Sequence, residues 1–176
     1  MKDPDTMFAT IRRNATGRLA AVALAVAFLV APGADDVQAQ EATQTFEHWS
    51  IACLPNQAGQ SECLMFQDII ADGTDQSIMR VTVVKTPRSM LIVTTPLGVI
   101  LPQGLIVAID QQEASRMQYQ ICIEPGCRAQ IELTPELVQR LKSGVGATVT
   151  IVGPNGQPIA VPVSLKGFTA AYDALI

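Results

Sequence analysis

Two proline–glycine clusters, Pro96-Leu97-Gly98 and Pro102-Gln103-Gly104, bracket the apolar triplet Val99-Ile100-Leu101 near the middle of the chain. Proline removes a backbone donor and collides with the turn before it, so a helix cannot run through this stretch. A segment of this kind carries the chain from one sheet to another. Its flanks agree. Met90 to Thr95 is apolar on both faces, as a central buried strand would be, and Leu105 to Ile109 is a strand-like run that stops at Asp110.

The rest of the chain alternates in short runs. Phe46 to Cys53 places Trp49, Ile51 and Cys53 on one face. Leu54 to Ser61 is a turn rich in Pro, Asn and Gly, and Glu62 to Ile70 returns. With Cys53 opposite Cys63, Ile51 faces Met65 and Trp49 faces Gln67. Ala71 to Gln76 turns again, and Ser77 to Lys85 points Met79, Val81 and Val83 inward. Gln111 to Ser115 reads as a polar turn and Gln40 to Thr45 as a loose arm. Tyr119 to Ile123 and Cys127 to Leu133 are strands joined by Glu124-Pro125-Gly126. Ala147 to Val152 and Ile159 to Val163 form a hairpin about Pro154-Asn155-Gly156. About nine short strands at roughly ten-residue spacing predict an all-β sandwich or barrel.

One helix is predicted, over about residues 134–143. Thr134 supplies the N-cap, Pro135 the first helical position, and Leu137, Val138 and Leu141 the apolar stripe. The closing GFTAAYDALI spaces Phe168, Tyr172 and Leu175 as a short amphipathic helix would, and an extended cover is the alternative.

Residues 1–39 read as a signal peptide. Lys2, Arg12, Arg13 and Arg18 precede the apolar run Leu19 to Ala31, and Val37-Gln38-Ala39 offers small residues at a cleavage point. The 13 apolar residues of that run fall short of the ~20 that a membrane-spanning helix needs. The mature domain is then 40–176, exported to the periplasm, with no transmembrane helix of its own. Export makes the four cysteines legible as disulfides. Local pairing, Cys53 with Cys63 and Cys122 with Cys127, is preferred. One difficulty attaches to it. With Cys122 facing Cys127, Gln118 and Gln120 share a face with Ala129 and Ile131. A bulge near Pro125-Gly126 removes the mismatch; otherwise one of these cysteines pairs with Cys53 or Cys63.

The net charge of −4 and the scattered lysines and arginines argue against nucleic acid or an anionic membrane surface as partner. No catalytic, cofactor or metal site is predicted. His48 is the only histidine and alternates away from Trp49. Asp68, Asp72 and Asp75 cluster at a turn without the spacing of a calcium loop. Glu113, Arg116, Glu124 and Arg128 read as ordinary surface charges, with a charged rim near the second cysteine pair as the alternative. Ser143 and Ser164 have no base beside them.

Taken together, Trp49-Ser50-Ile51-Ala52-Cys53, Cys63-Leu64-Met65-Phe66-Gln67, Pro96-Leu97-Gly98-Val99, Gly104 with Asp110, Cys122 with Gly126-Cys127, and Ser164 to Ala171 give a pattern that resembles the invasion-associated locus B (IalB) family of envelope proteins. The resemblance implies an immunoglobulin-like β-sandwich, export to the periplasm or cell surface, and no catalytic activity or cofactor. The expected action is binding of an unknown protein or envelope component. The loops Pro55–Ser61, Asp72–Gln76 and Gln111–Gln118 are candidate contact sites. Rival readings are a secreted or surface factor for host-cell adhesion and invasion, a carboxylate hydrolase, and a small-ligand carrier.

Overall fold

The computed structural model describes residues 43–175, apart from positions 57 and 86. The expected signal peptide, residues 1–39, lies outside the described residues.

Two antiparallel sheets pack into a sandwich, as expected. The larger has seven strands. They are β1 (Thr43–Phe46), β2 (Trp49–Pro55), β3 (Ser61–Ile70), β4 (Ser77–Val84), β5 (Met90–Thr95), β8 (Tyr119–Ile123) and β9 (Gly126–Glu132). Their order is β1-β2-β3-β4-β5-β9-β8, a meander closed by one hairpin. The smaller has four strands in the order β11-β10-β6-β7: β6 (Leu105–Ile109), β7 (Gln112–Met117), β10 (Gly146–Val152) and β11 (Pro158–Ser164).

The Pro/Gly stretch carries the chain from β5 in one sheet to β6 in the other, through a single 3-10 turn at Leu101–Gln103. Gly104 closes that turn at φ 63°, and a Cβ there would collide with the carbonyl oxygen of Met117. The return crossing is shorter, because Gln118 alone separates β7 from β8.

Alternation decides the core. Met65, Val83 and Val93 of the larger sheet face Leu105, Val107 and Val149 of the smaller, all nearly inaccessible. Four strands cannot cover seven. Helices α1 (Pro135–Ser143) and α2 (Phe168–Ala174) add Leu137, Leu141, Phe168 and Ala171 to the same core. Thr134 caps α1 by accepting a 3.2 Å hydrogen bond from the backbone of Leu137. The closing segment is thus a second helix, not an extended cover.

The structure has eleven strands among the described residues where the sequence predicts about nine. The two additions are edge strands. β1 was expected to be a loose arm and β7 a polar turn. Both are polar and largely exposed, so nothing in their composition marks them as strands; pairing with β2 and β6 makes them so. The reversal before β7 is confined to Asp110 and Gln111, both at positive φ. Asp110 holds the adjoining loop by accepting from the backbones of Val145 and Gly146, each at 3.0 Å.

Both disulfides are local: Cys53–Cys63 and Cys122–Cys127. The bulge that the second requires lies elsewhere than expected. Ile123–Gly126 and Cys122–Cys127 pair in register at the turn, and the slip occurs between Tyr119 and Ile121. Gln120 is the extra residue. Its insertion sets Tyr119 opposite Ala129, against the core, instead of a glutamine.

Candidate functional site

The residues singled out for chemistry do not converge. His48 sits exposed in the turn between β1 and β2. Asp72 and Asp75 are exposed in the turn between β3 and β4. Asp68 is paired, accepting from Nε and Nη2 of Arg80 at 2.6 and 2.7 Å. Those bonds push the Arg80 guanidinium pKa up. Glu113 and Arg116 bond each other on β7, in the smaller sheet, whereas Glu124 and Arg128 belong to the β8–β9 hairpin of the larger. These four charges are therefore split between sheets and form no common rim. Ser143 donates to the backbone of Gln139 at the end of α1. Among the described residues, no group of three His, Cys, Asp or Glu side chains is placed to hold a metal ion.

Several of the motif residues meet inside the fold. Trp49 Nε1 and Gln67 Nε2 both donate to the carbonyl of Ser164, at 2.9 and 3.0 Å, and the Ser164 N–H donates back to Gln67 Oε1 at 2.9 Å. Phe168 meets Trp49 edge-on at 5.2 Å and stacks on Tyr172 at 5.8 Å. Lys85 lies 4.6 Å above the Tyr172 ring and donates to the carbonyl of Leu175. Gly167, at φ 83°, lets the chain pass the carbonyl of Phe46 where no side chain fits. This cluster joins β2, β3, β11 and α2. It is a clasp between layers, with Trp49 and Phe168 buried at its centre and Lys85 and Lys142 over the Tyr172 ring at its rim.

Among the described residues, the interior void bounded by Trp49, Val93, Val149 and Phe168 is about 20 Å³, room for about one water and too small for an organic ligand.

The unusual surface is the outer side of the larger sheet. Register sets Ala52, Leu64, Val84 and Met90 in one cross-strand row. Phe66, Thr82 and Ile92 form the next, flanked by Ser50 and Gln130. Asp68, Arg80, Thr94 and Arg128 form a third, with Arg80 lying 4.6 Å over the Phe66 ring. Leu64, Phe66, Val84, Met90 and Ile92 lie outside the core cluster and are half-buried. Ile70, Ile121 and Ile123 extend the patch at 44%, 48% and 55% exposure. At this end Ile70, Arg80, Thr94, Pro96, Leu97 and Pro125 line an open depression of about 520 Å³. Antiparallel sheets ordinarily turn polar side chains to water. Isolated apolar residues on a surface are unremarkable, but a contiguous patch of this kind marks an interaction site.

The sequence carried a signal for this face. Met90 to Thr95 is apolar on both sides, which was read as burial on both. Leu91 and Val93 are buried, whereas Met90 and Ile92 look outward. Of the expected contact loops, Gln111–Gln118 is mostly strand β7, and Pro55–Ser61 and Asp72–Gln76 are tight exposed turns.

Comparison with known proteins agrees with this architecture. Residues 49–176 match the family model described as invasion associated locus B (IalB) protein. The chain belongs to the IalB family. An invasion protein B homologue of Brucella abortus strain 2308 is 28% identical over 136 residues, covering 75% of this chain and 78% of its own. The homologue from Brucella abortus biovar 1 strain 9-941 matches to the same extent. The crystal structure of invasion associated protein B from Bartonella henselae has the same fold, with a TM-score of 0.68 at 23% identity over 76% of this chain and 93% of that one. In this IalB chain the motif residues Trp49, Gln67, Gly104, Asp110 and Phe168 build the scaffold. The outer face of the larger sheet is a separate surface carried on it.

Proposed function

We propose that the protein is exported, loses residues 1–39, and works in the periplasm or on the outer surface without catalysis, by binding a protein or envelope partner. The outer face of the larger sheet carries this reading: a contiguous apolar surface on a layer stapled by two disulfides. Two disulfides fit an oxidising compartment. Among the described residues no helix is long and apolar enough to cross a membrane. Catalysis is disfavoured because the carboxylates and the single histidine are dispersed or paired.

The test is cross-linking in intact cells followed by capture from the envelope fraction. The native protein should retain a partner that a Phe66→Ser/Ile92→Thr variant loses, and its mature N-terminus should be Gln40. Retention of residues 1–39 in a cytosolic protein would overturn the reading. The names of the Brucella and Bartonella relatives favour a second reading, a surface factor in host-cell invasion. Protease treatment of intact cells separates the two, since full protection excludes surface exposure.

A further inference from the structure

We infer that the partner seated on the outer face of the seven-stranded sheet is a second copy of this chain, packed sheet to sheet about a two-fold axis. The inference rests on the binding reading above and names the occupant of that same face.

Size supports it. Six strands, β2 to β5 with β9 and β8, lie side by side beyond the short edge strand β1. At about 4.8 Å between strands and about seven residues of about 3.4 Å each, they present about 700 Å² in projection. A stable protein interface buries about 800 Å² on each partner. The face falls within the range of about 600–1,000 Å² per partner that standard interfaces span.

Shape supports it as well. Sheets twist with one hand, and two sheets of equal twist pack aligned at about −30° and about 10 Å apart. A copy of this sheet is matched to it without adjustment, and a two-fold contact needs only one self-complementary patch.

Charge permits a second copy and weighs against a lipid surface. The chain carries −4, but the outer face bears two arginines, Arg80 and Arg128, against three carboxylates, Glu62, Asp68 and Glu132. It is thus close to neutral and holds both signs, so copies do not repel there. Asp68 and Arg80 already neutralise each other through two hydrogen bonds, and the guanidinium is stacked on Phe66. Burying this pair against protein costs desolvation that its two hydrogen bonds and the Phe66 ring partly offset. A lipid surface would have to take up this pair and three further charges from a flat face with no basic rim, which is unfavourable.

Sedimentation equilibrium of the disulfide-bonded protein purified from the cell tests the proposal. The expected result is a concentration-dependent dimer, weakened at least about tenfold by Phe66→Ser/Ile92→Thr. Val145→Thr, on an exposed loop away from the face, should leave it unchanged. Thr and Ser keep the sheet soluble, and circular dichroism checks folding. If the double variant folds poorly, Thr82→Lys, which lies between the two positions, gives the same reading. A monomer at millimolar concentration overturns the inference, as does a dimer indifferent to these substitutions. Flotation of a monomer with zwitterionic phosphatidylcholine vesicles, abolished by the double variant, overturns it in favour of lipid. A monomer whose face captures a different envelope protein excludes the second copy but leaves the proposed function standing.

Discussion

The side-chain amide of Gln67 and the backbone of Ser164 form a closed pair of hydrogen bonds across the two sheets, at 2.9 and 3.0 Å. Gln67 is one of few buried polar side chains in the described core, and it is fully used. Gln67→Leu keeps the volume but strands the Ser164 N–H. It should cost about 1–3 kcal/mol in urea unfolding. Gln67→Glu keeps the acceptor yet aims a second oxygen at the Ser164 carbonyl. Protonation restores a donor, so the folded-state pKa of this glutamate lies above its unfolded value. The variant should regain stability as pH falls through that raised pKa, fully by the ordinary carboxylate value, and lose it as pH rises through the raised pKa. A urea midpoint that is flat with pH would contradict this.

Gly167 sits at φ 83° with the carbonyl of Phe46 against it. Gly167→Ala meets strain and collision together. Either alone is worth about 1–3 kcal/mol. The thermal midpoint should fall, and hydrogen exchange should speed up in β1 and α2 before the rest of the fold.

The two disulfides close loops of different length, with separations of 10 and 5 residues. In the chain-entropy account they contribute about 3 and about 2 kcal/mol. Replacing both Cys53 and Cys63 by Ala should therefore lower stability more than replacing both Cys122 and Cys127. Equal or reversed losses in denaturant titration would show that native-state packing, not loop closure, dominates.

Burial pushes the Tyr119 hydroxyl pKa up, partly opposed by the Thr95 hydroxyl that donates to it at 3.4 Å. In the unfolded chain this group ionises first, near pH ~10. Its contribution is whole below that value and is lost as pH rises through the folded-state pKa. Relative to Tyr119→Phe, the native protein should lose stability above pH ~10. A constant difference between the two urea midpoints from pH 8 to 11 would refute the assignment.

Much of this fold is visible in the residues themselves. The Pro/Gly crossing, the cap of α1 and the inward alternation of Met79, Val81 and Val83 each rest on local chemistry, and the structure keeps all three. What escaped depends on neighbours. Thr43–Phe46 and Gln112–Met117 are strands only because β2 and β6 lie beside them. The bulge settled at Gln120 instead of the turn because tertiary packing rewards Tyr119 for facing the core. The interaction face was hidden for the opposite reason. Ile92 and Met90 look like core residues to any pattern, and only the placement of the smaller sheet on one side shows that the other side is open.

Each disulfide joins two adjacent strands of the same sheet, one on each flank of the outer face. Neither ties the layers together. A strand that slips by one residue turns every side chain to the opposite side. The bonds thus act as register pins. Oxidation selects which set of side chains the protein shows to its surroundings, and a reduced chain that refolds one step out of phase would present a different surface on the same sheet.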